Sequence, residues 1–283
     1  MLARAIDPTA GMDNADRLSW AGTLSFTAFG SAIHLRVNAP KVPDDVLAIL
    51  PPGWVEESLP EAELQLSLRL ASRQNAEQEL NSLYKRNELI GQSSDRSVAV
   101  GLLEQIIQSH LASSAKDHVF VHAGVVASRN RAVIIPGRSM AGKSTLVKAL
   151  LAAGATYYSD EFAVLDNQGR VHPYPRRLSI RMPNGTERPT AESLGASIGK
   201  EPLPVHLVVQ FDYRAGAASP PRRLSTGKAL MELASYTRPE VTQTAIGQDV
   251  LGRLAANVPV FKGIRGDADA TARQLLSTLE GNP

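Results

Sequence analysis

The stretch Gly137-Arg138-Ser139-Met140-Ala141-Gly142-Lys143-Ser144-Thr145 constrains this chain more than any other. It fits G-x-x-x-x-G-K-[ST], in which glycines let backbone N–H groups curl round phosphates, a lysine reaches the β/γ-phosphates and a hydroxyl meets Mg²⁺. Such a loop needs a strand in front and a helix behind. Ala132-Val133-Ile134-Ile135 is a short β-branched apolar run that reads as a buried strand, and residues 145–153 read as a helix closed by Gly154. The stretch therefore predicts a nucleotide site at residues 137–145, with Lys143 on the phosphates and Ser144 on the metal.

Length and composition fit that frame. A chain of 283 residues suits a main domain with a smaller companion. Apolar content of 43% and charged content of 20% are those of a globular protein, and a formal net charge of +2 gives no support to a nucleic-acid partner. The absence of cysteine excludes a disulfide framework and a thiolate metal site. No apolar run reaches the length of a membrane span, and the amino terminus lacks the apolar core of a signal peptide, so the expected location is the cytoplasm.

Residues 1–95 read as a small α+β module without visible chemistry. Ile33, Leu35 and Val37, and Leu64, Leu66, Leu68 and Leu70, alternate with polar residues and predict an antiparallel sheet covered on one side. A short helix is expected over 43–50, with Trp54 as a core anchor after the Pro51-Pro52-Gly53 turn. His34 falls on a polar strand face, where a structural or solvated role is expected.

Residues 96–283 read as the nucleotide-handling domain, opened by an amphipathic helix over 98–112. A buried strand over 119–127 precedes the strand of the phosphate loop, and the loop's helix leads into Tyr157-Tyr158-Ser159-Asp160-Glu161 and an apolar strand at 162–166. Acidic residues at a strand end next to such a loop are placed to meet Mg²⁺ or the reacting oxygen, which makes Asp160 and Glu161 candidates. Arg177 and Arg181, with Arg176 beside them, are candidate clamps for phosphate or acceptor. Farther on, a strand at 205–211, an exposed loop at 215–223, helices at 226–236 and 239–256, a strand at 258–264 and a final helix capped at Asp267 or Asp269 complete an α/β pattern.

The run His122-Ala123-Gly124-Val125-Val126, the loop and Tyr158-Ser159-Asp160-Glu161 together resemble the carboxy-terminal domain of bacterial HPr kinase/phosphorylase, over about residues 118–182. The resemblance implies a P-loop kinase fold similar to phosphoenolpyruvate carboxykinase. It also implies ATP, with GTP as the alternative, and Mg²⁺ as cofactor. By position it pairs His122 with Asp160 as the group acting on the acceptor hydroxyl, and Ser144 with Glu161 as the metal ligands. The implied activity is transfer of a γ-phosphoryl group to a hydroxyl, a serine of a protein or peptide. A small-metabolite kinase and a non-catalytic ATP-responsive partner module are the alternatives, and self-association into a homo-oligomer is left open. The chain departs from the family at Met140, where glycine is usual, and in carrying Asp-Glu for Asp-Asp.

Overall fold

The computed structural model describes residues 15, 18–72, 79–138, 141–182, 185–216 and 219–281. Ser139 and Met140 of the glycine-rich loop lie outside the described residues. The chain divides into two compact units, Met1–Lys116 and Asp117–Pro283.

The first unit contains β1 (Gly22–Ala28), β2 (Ser31–Val37), α1 (Asp44–Leu47), β3 (Val55–Glu56), β4 (Leu64–Arg69), β5 (Asn81–Lys85), β6 (Glu88–Ser93) and α2 (Arg96–Ser114). One sheet runs in the order β3-β1-β2-β4-β5-β6. Strict alternation in β1 and β2 buries Leu24, Phe26, Ile33, Leu35 and Val37. The sheet is mixed rather than antiparallel throughout, because β2 and β4 pair in parallel. The segment between them crosses over through α1 and so returns in the same direction.

Helix α2 packs on β4, β5 and β6, burying Leu103, Ile107 and Leu111, and its amide at Ser97 is capped by Asp95. The expectation that this helix opens the second domain is therefore corrected. A sheet with one apolar face needs a covering layer, and α2 supplies it.

The second unit contains β7 (His118–Ser128), β8 (Arg131–Pro136), α3 (Lys143–Ala152), β9 (Thr156–Ser159), β10 (Phe162–Asp166), β11 (Arg170–His172), β12 (Ile180–Met182) and β13 (Gly185–Glu187). It continues with β14 (Leu203–Tyr213), β15 (Ser219–Arg223), α4 (Thr226–Ser235), α5 (Pro239–Thr242), α6 (Ala245–Asn257), β16 (Val260–Arg265) and α7 (Ala268–Glu280). The main sheet runs β11-β10-β7-β8-β14-β16-β15, with β9 also on β7. Strands β8, β14 and β16 are parallel, so their carboxyl ends share one edge.

Helices cover both faces of this sheet. Val126, Val133, Ile135, Val209 and Phe211 pack with Leu146, Leu150 and Leu275 of α3 and α7, while Val121, Val125, Ile134, Val208 and Val260 pack with Leu233, Val250 and Leu254 of α4 and α6. Burial on both faces explains why β8 reads as an unbroken apolar run.

Two other expectations change. The loop expected at 215–223 ends in β15, an edge strand on β16, where Pro220 and Pro221 are tolerated because an edge need not donate on its open side. The helix expected at 239–256 is two, α5 and α6, broken where the Thr244 side chain accepts from Gly247 N–H and starts α6 afresh.

Candidate active site at the phosphate loop

The loop leaves β8 at Pro136 and enters α3 through Gly142, whose φ of 77° is left-handed. That backbone, the natural province of glycine, turns the chain into the helix. No side chain among the described residues caps α3, so the N–H groups of its first turn are open to an outside anion. Gly124 on β7 lets α3 lie close: a β-carbon there would stand 2.6 Å from Val147 Cγ2 and 3.4 Å from Lys143 Cγ.

The acidic pair sits at a break in the sheet. Strands β9 and β10 pair with β7 in succession, Ser159 opposite Val125 and Phe162 opposite His122. Ser159 Oγ accepts from the N–H groups of Glu161 and Phe162, bending the chain between the strands. Asp160 and Glu161 occupy that bend and acquire different partners.

Asp160 is 4% exposed, and its Oδ2 accepts from Ser144 Oγ at 2.7 Å and from Ser179 N–H at 3.3 Å. Its Oδ1 is buried with no hydrogen-bond partner among the described residues. Burial pushes the carboxyl up to about 6, against the Ser144 hydrogen bond and the charge of Lys143, which lower it. Glu161 Oε1 instead lies 3.4 Å from His122 Nδ1. Burial pushes this carboxyl up too, but the His122 hydrogen bond and the electrostatic pull of His122 and Lys143 outweigh it and hold the group below its usual range.

Lys143 is 9% exposed, with Nζ 2.9 Å from His122 Nε2 and 3.4 Å from the Gly137 carbonyl oxygen. Burial lowers its ammonium, opposed by Glu161 and Asp160. An ammonium only donates, which assigns Nε2 as acceptor and leaves the proton on Nδ1, toward Glu161. The imidazole is further placed by the Phe162 ring, edge-on at 6.0 Å, and the strand that carries it is held by the His122 backbone N–H donating to the Tyr236 carbonyl.

The structure thus brings together Gly137, Gly142, Lys143, Ser144, His122, Asp160 and Glu161. It corrects the pairing that the resemblance implies, since Asp160 joins Ser144 and Glu161 joins His122. Successive residues in a bend face different ways, and one position decides the partner.

Neither candidate arginine is joined to the described loop residues by a hydrogen bond or ion pair. Arg177 donates to the Arg188 carbonyl, and Arg181 is exposed on the β12–β13 ribbon. Thr145 and Arg138 are exposed, and Ala141 N–H donates to the Arg138 carbonyl.

The arginine that does reach the loop is Arg265, at the end of β16. It is 3% exposed, donates to the carbonyls of Gly142 at 2.6 Å and Gly266 at 3.2 Å, and stacks on the Tyr213 ring. Sequence reading missed it. Its signal was a cation closing the strand Val260-Phe261-Lys262-Gly263-Ile264, at the strand end where ligands collect.

No family model matches the chain, and no curated protein matches it. Among solved structures, the Hpr(Ser) kinase/phosphatase from Coxiella burnetii aligns with 59% of this chain and 95% of its own, at 17% identity and a TM-score of 0.32.

Proposed function

We propose that this chain is a Mg²⁺-dependent kinase that binds ATP, with GTP as the alternative, at residues 137–145 and passes the γ-phosphoryl group to a hydroxyl of a protein or peptide serine. The observation that carries the reading is the division of the acidic pair, Asp160 on Ser144 and Glu161 on His122, beside a buried lysine at an uncapped helix start. The serine acceptor comes from the motif resemblance.

The residues fit Mg²⁺: Ser144 and Asp160 offer hard oxygen donors, and the orphaned Asp160 Oδ1 lacks the partner a cation or its water would provide. Bound there, Mg²⁺ would offset the negative charge of the β- and γ-phosphates. Lys143 exchanges His122 and Gly137 for phosphate oxygens. Glu161, ionised and aimed by His122, accepts the acceptor's proton as its oxygen bonds to the γ-phosphorus. The bond from that phosphorus to the bridging β–γ oxygen breaks, and the nucleoside diphosphate leaves with the electron pair.

Mass spectrometry of a lysate incubated with the protein, ATP and Mg²⁺ should find a phosphorylated acceptor. On that acceptor Glu161→Gln should lose about 10²–10⁴-fold in transfer at every metal concentration, as expected for a positioned proton acceptor. Asp160→Asn should regain activity as Mg²⁺ or Mn²⁺ is raised. Full activity in Glu161→Gln would place the proton acceptor elsewhere, and the absence of any phosphorylated product would remove the kinase reading.

A further inference from the structure

The histidine and the acidic pair come from one side of the phosphate-loop strand. His122 lies on β7, and Asp160 and Glu161 lie between β9 and β10, which pair with β7. In the order β10-β7-β8-β14-β16 these strands fall on one side of β8. A triphosphate laid across the start of α3 with its γ end toward His122 must send its nucleoside the other way, over the carboxyl ends of β14 and β16.

The residues standing there are Tyr213 and Arg265, register partners at the last positions of those strands. Tyr213 is 56% exposed at the end of a strand whose centre is buried, which leaves part of its ring open to a ligand. One face of its ring is covered by the Arg265 guanidinium, whose Cζ stands 5.1 Å from the ring centroid. Arg265 is buried and donates to the Gly142 carbonyl, so the ring is tied to the point where the loop enters the helix. The Tyr213 β-carbon would lie 3.6 Å from a β-carbon built on Gly142. Burial lowers the Arg265 cation, against the pull of Tyr213 and Asp267.

We propose that Tyr213 is the stacking platform for the nucleobase of the bound nucleotide, with Arg265 as the positioning residue that fixes the ring to the phosphate loop. This rests on the phosphate-loop reading above and adds the subsite for the base. An aromatic face accepts any base, so the platform supplies affinity for a nucleotide over bare polyphosphate without choosing between adenine and guanine.

The test compares Mg²⁺-ATP with Mg²⁺-tripolyphosphate, which keeps the phosphates and lacks the nucleoside, in calorimetric titrations of the full chain. Tyr213→Ala should weaken ATP by about 5- to 150-fold, the range for loss of one base-aromatic stack, and leave tripolyphosphate unchanged. Tyr213→Phe should bind both as the wild type does. ATP binding that is lost in Lys143→Ala but indifferent to Tyr213→Ala would overturn the platform alone, as would equal losses for the two ligands in Tyr213→Ala. A wild-type protein that binds neither ligand would overturn the platform together with the phosphate-loop reading.

Discussion

Asp160 and Glu161 show how far one residue's position along the chain governs its chemistry. Asp160 is buried against Ser144 with one oxygen unpaired among the described residues, while Glu161 is satisfied by His122. A carboxyl raised from 3.8 to about 6 binds a proton more readily folded than unfolded. Its burial therefore costs nothing below pH 4, and stability falls as pH rises through 4 to 6 and stays lower above. The full effect is about 3 kcal/mol. Asp160→Asn should then be more stable than the wild type at pH 8, by up to that amount, and close to it at pH 4, in thermal unfolding without metal. An equal difference at both pH values would mean that the carboxyl's charge is not the cause. The acidic pair was legible in the sequence because it stands at a strand end beside a phosphate-loop motif. Its partners were not, since which of two neighbours faces the loop depends on the bend made by the Ser159 hydroxyl.

At the scale of elements, the site depends on how closely α3 approaches β7. Gly124 sets that approach, and adding a methyl group puts its carbon 2.6 Å from Val147 Cγ2, inside van der Waals contact. Gly124→Ala should destabilise the fold by about 1–3 kcal/mol through overpacking and weaken nucleotide binding as Lys143 is displaced. Urea unfolding and titration of the same variant check both, and wild-type stability would show that the helix has room to spare. The order β8, loop, α3 was readable because a buried β-branched strand, a glycine-rich loop and a helical repeat each carry their own signal. β15 was not, because Ser219-Pro220-Pro221 has the composition of a loop and becomes a strand only through pairing with β16. The same holds for the parallel pairing of β2 with β4, a matter of chain path that alternation cannot report.

At the scale of the molecule, α2 decides where the first unit ends. The helix has one buried stripe, which fixes that it packs against a sheet without saying which one. Residues 1–116 expressed alone should unfold cooperatively, and residues 1–95, deprived of Leu103, Ile107 and Leu111, should not. Circular dichroism across a urea series distinguishes the two, and equal stability would return the boundary to residue 95. The second unit holds every residue of the candidate site, from His122 to Arg265, so nucleotide binding there can be tested in the full chain with a single ligand. Titration calorimetry with Mg²⁺-ATP is that measurement. Saturable binding to the wild type that Lys143→Ala abolishes or sharply weakens with the fold intact is the expected result; no binding, or the same affinity in both proteins, would remove the nucleotide site.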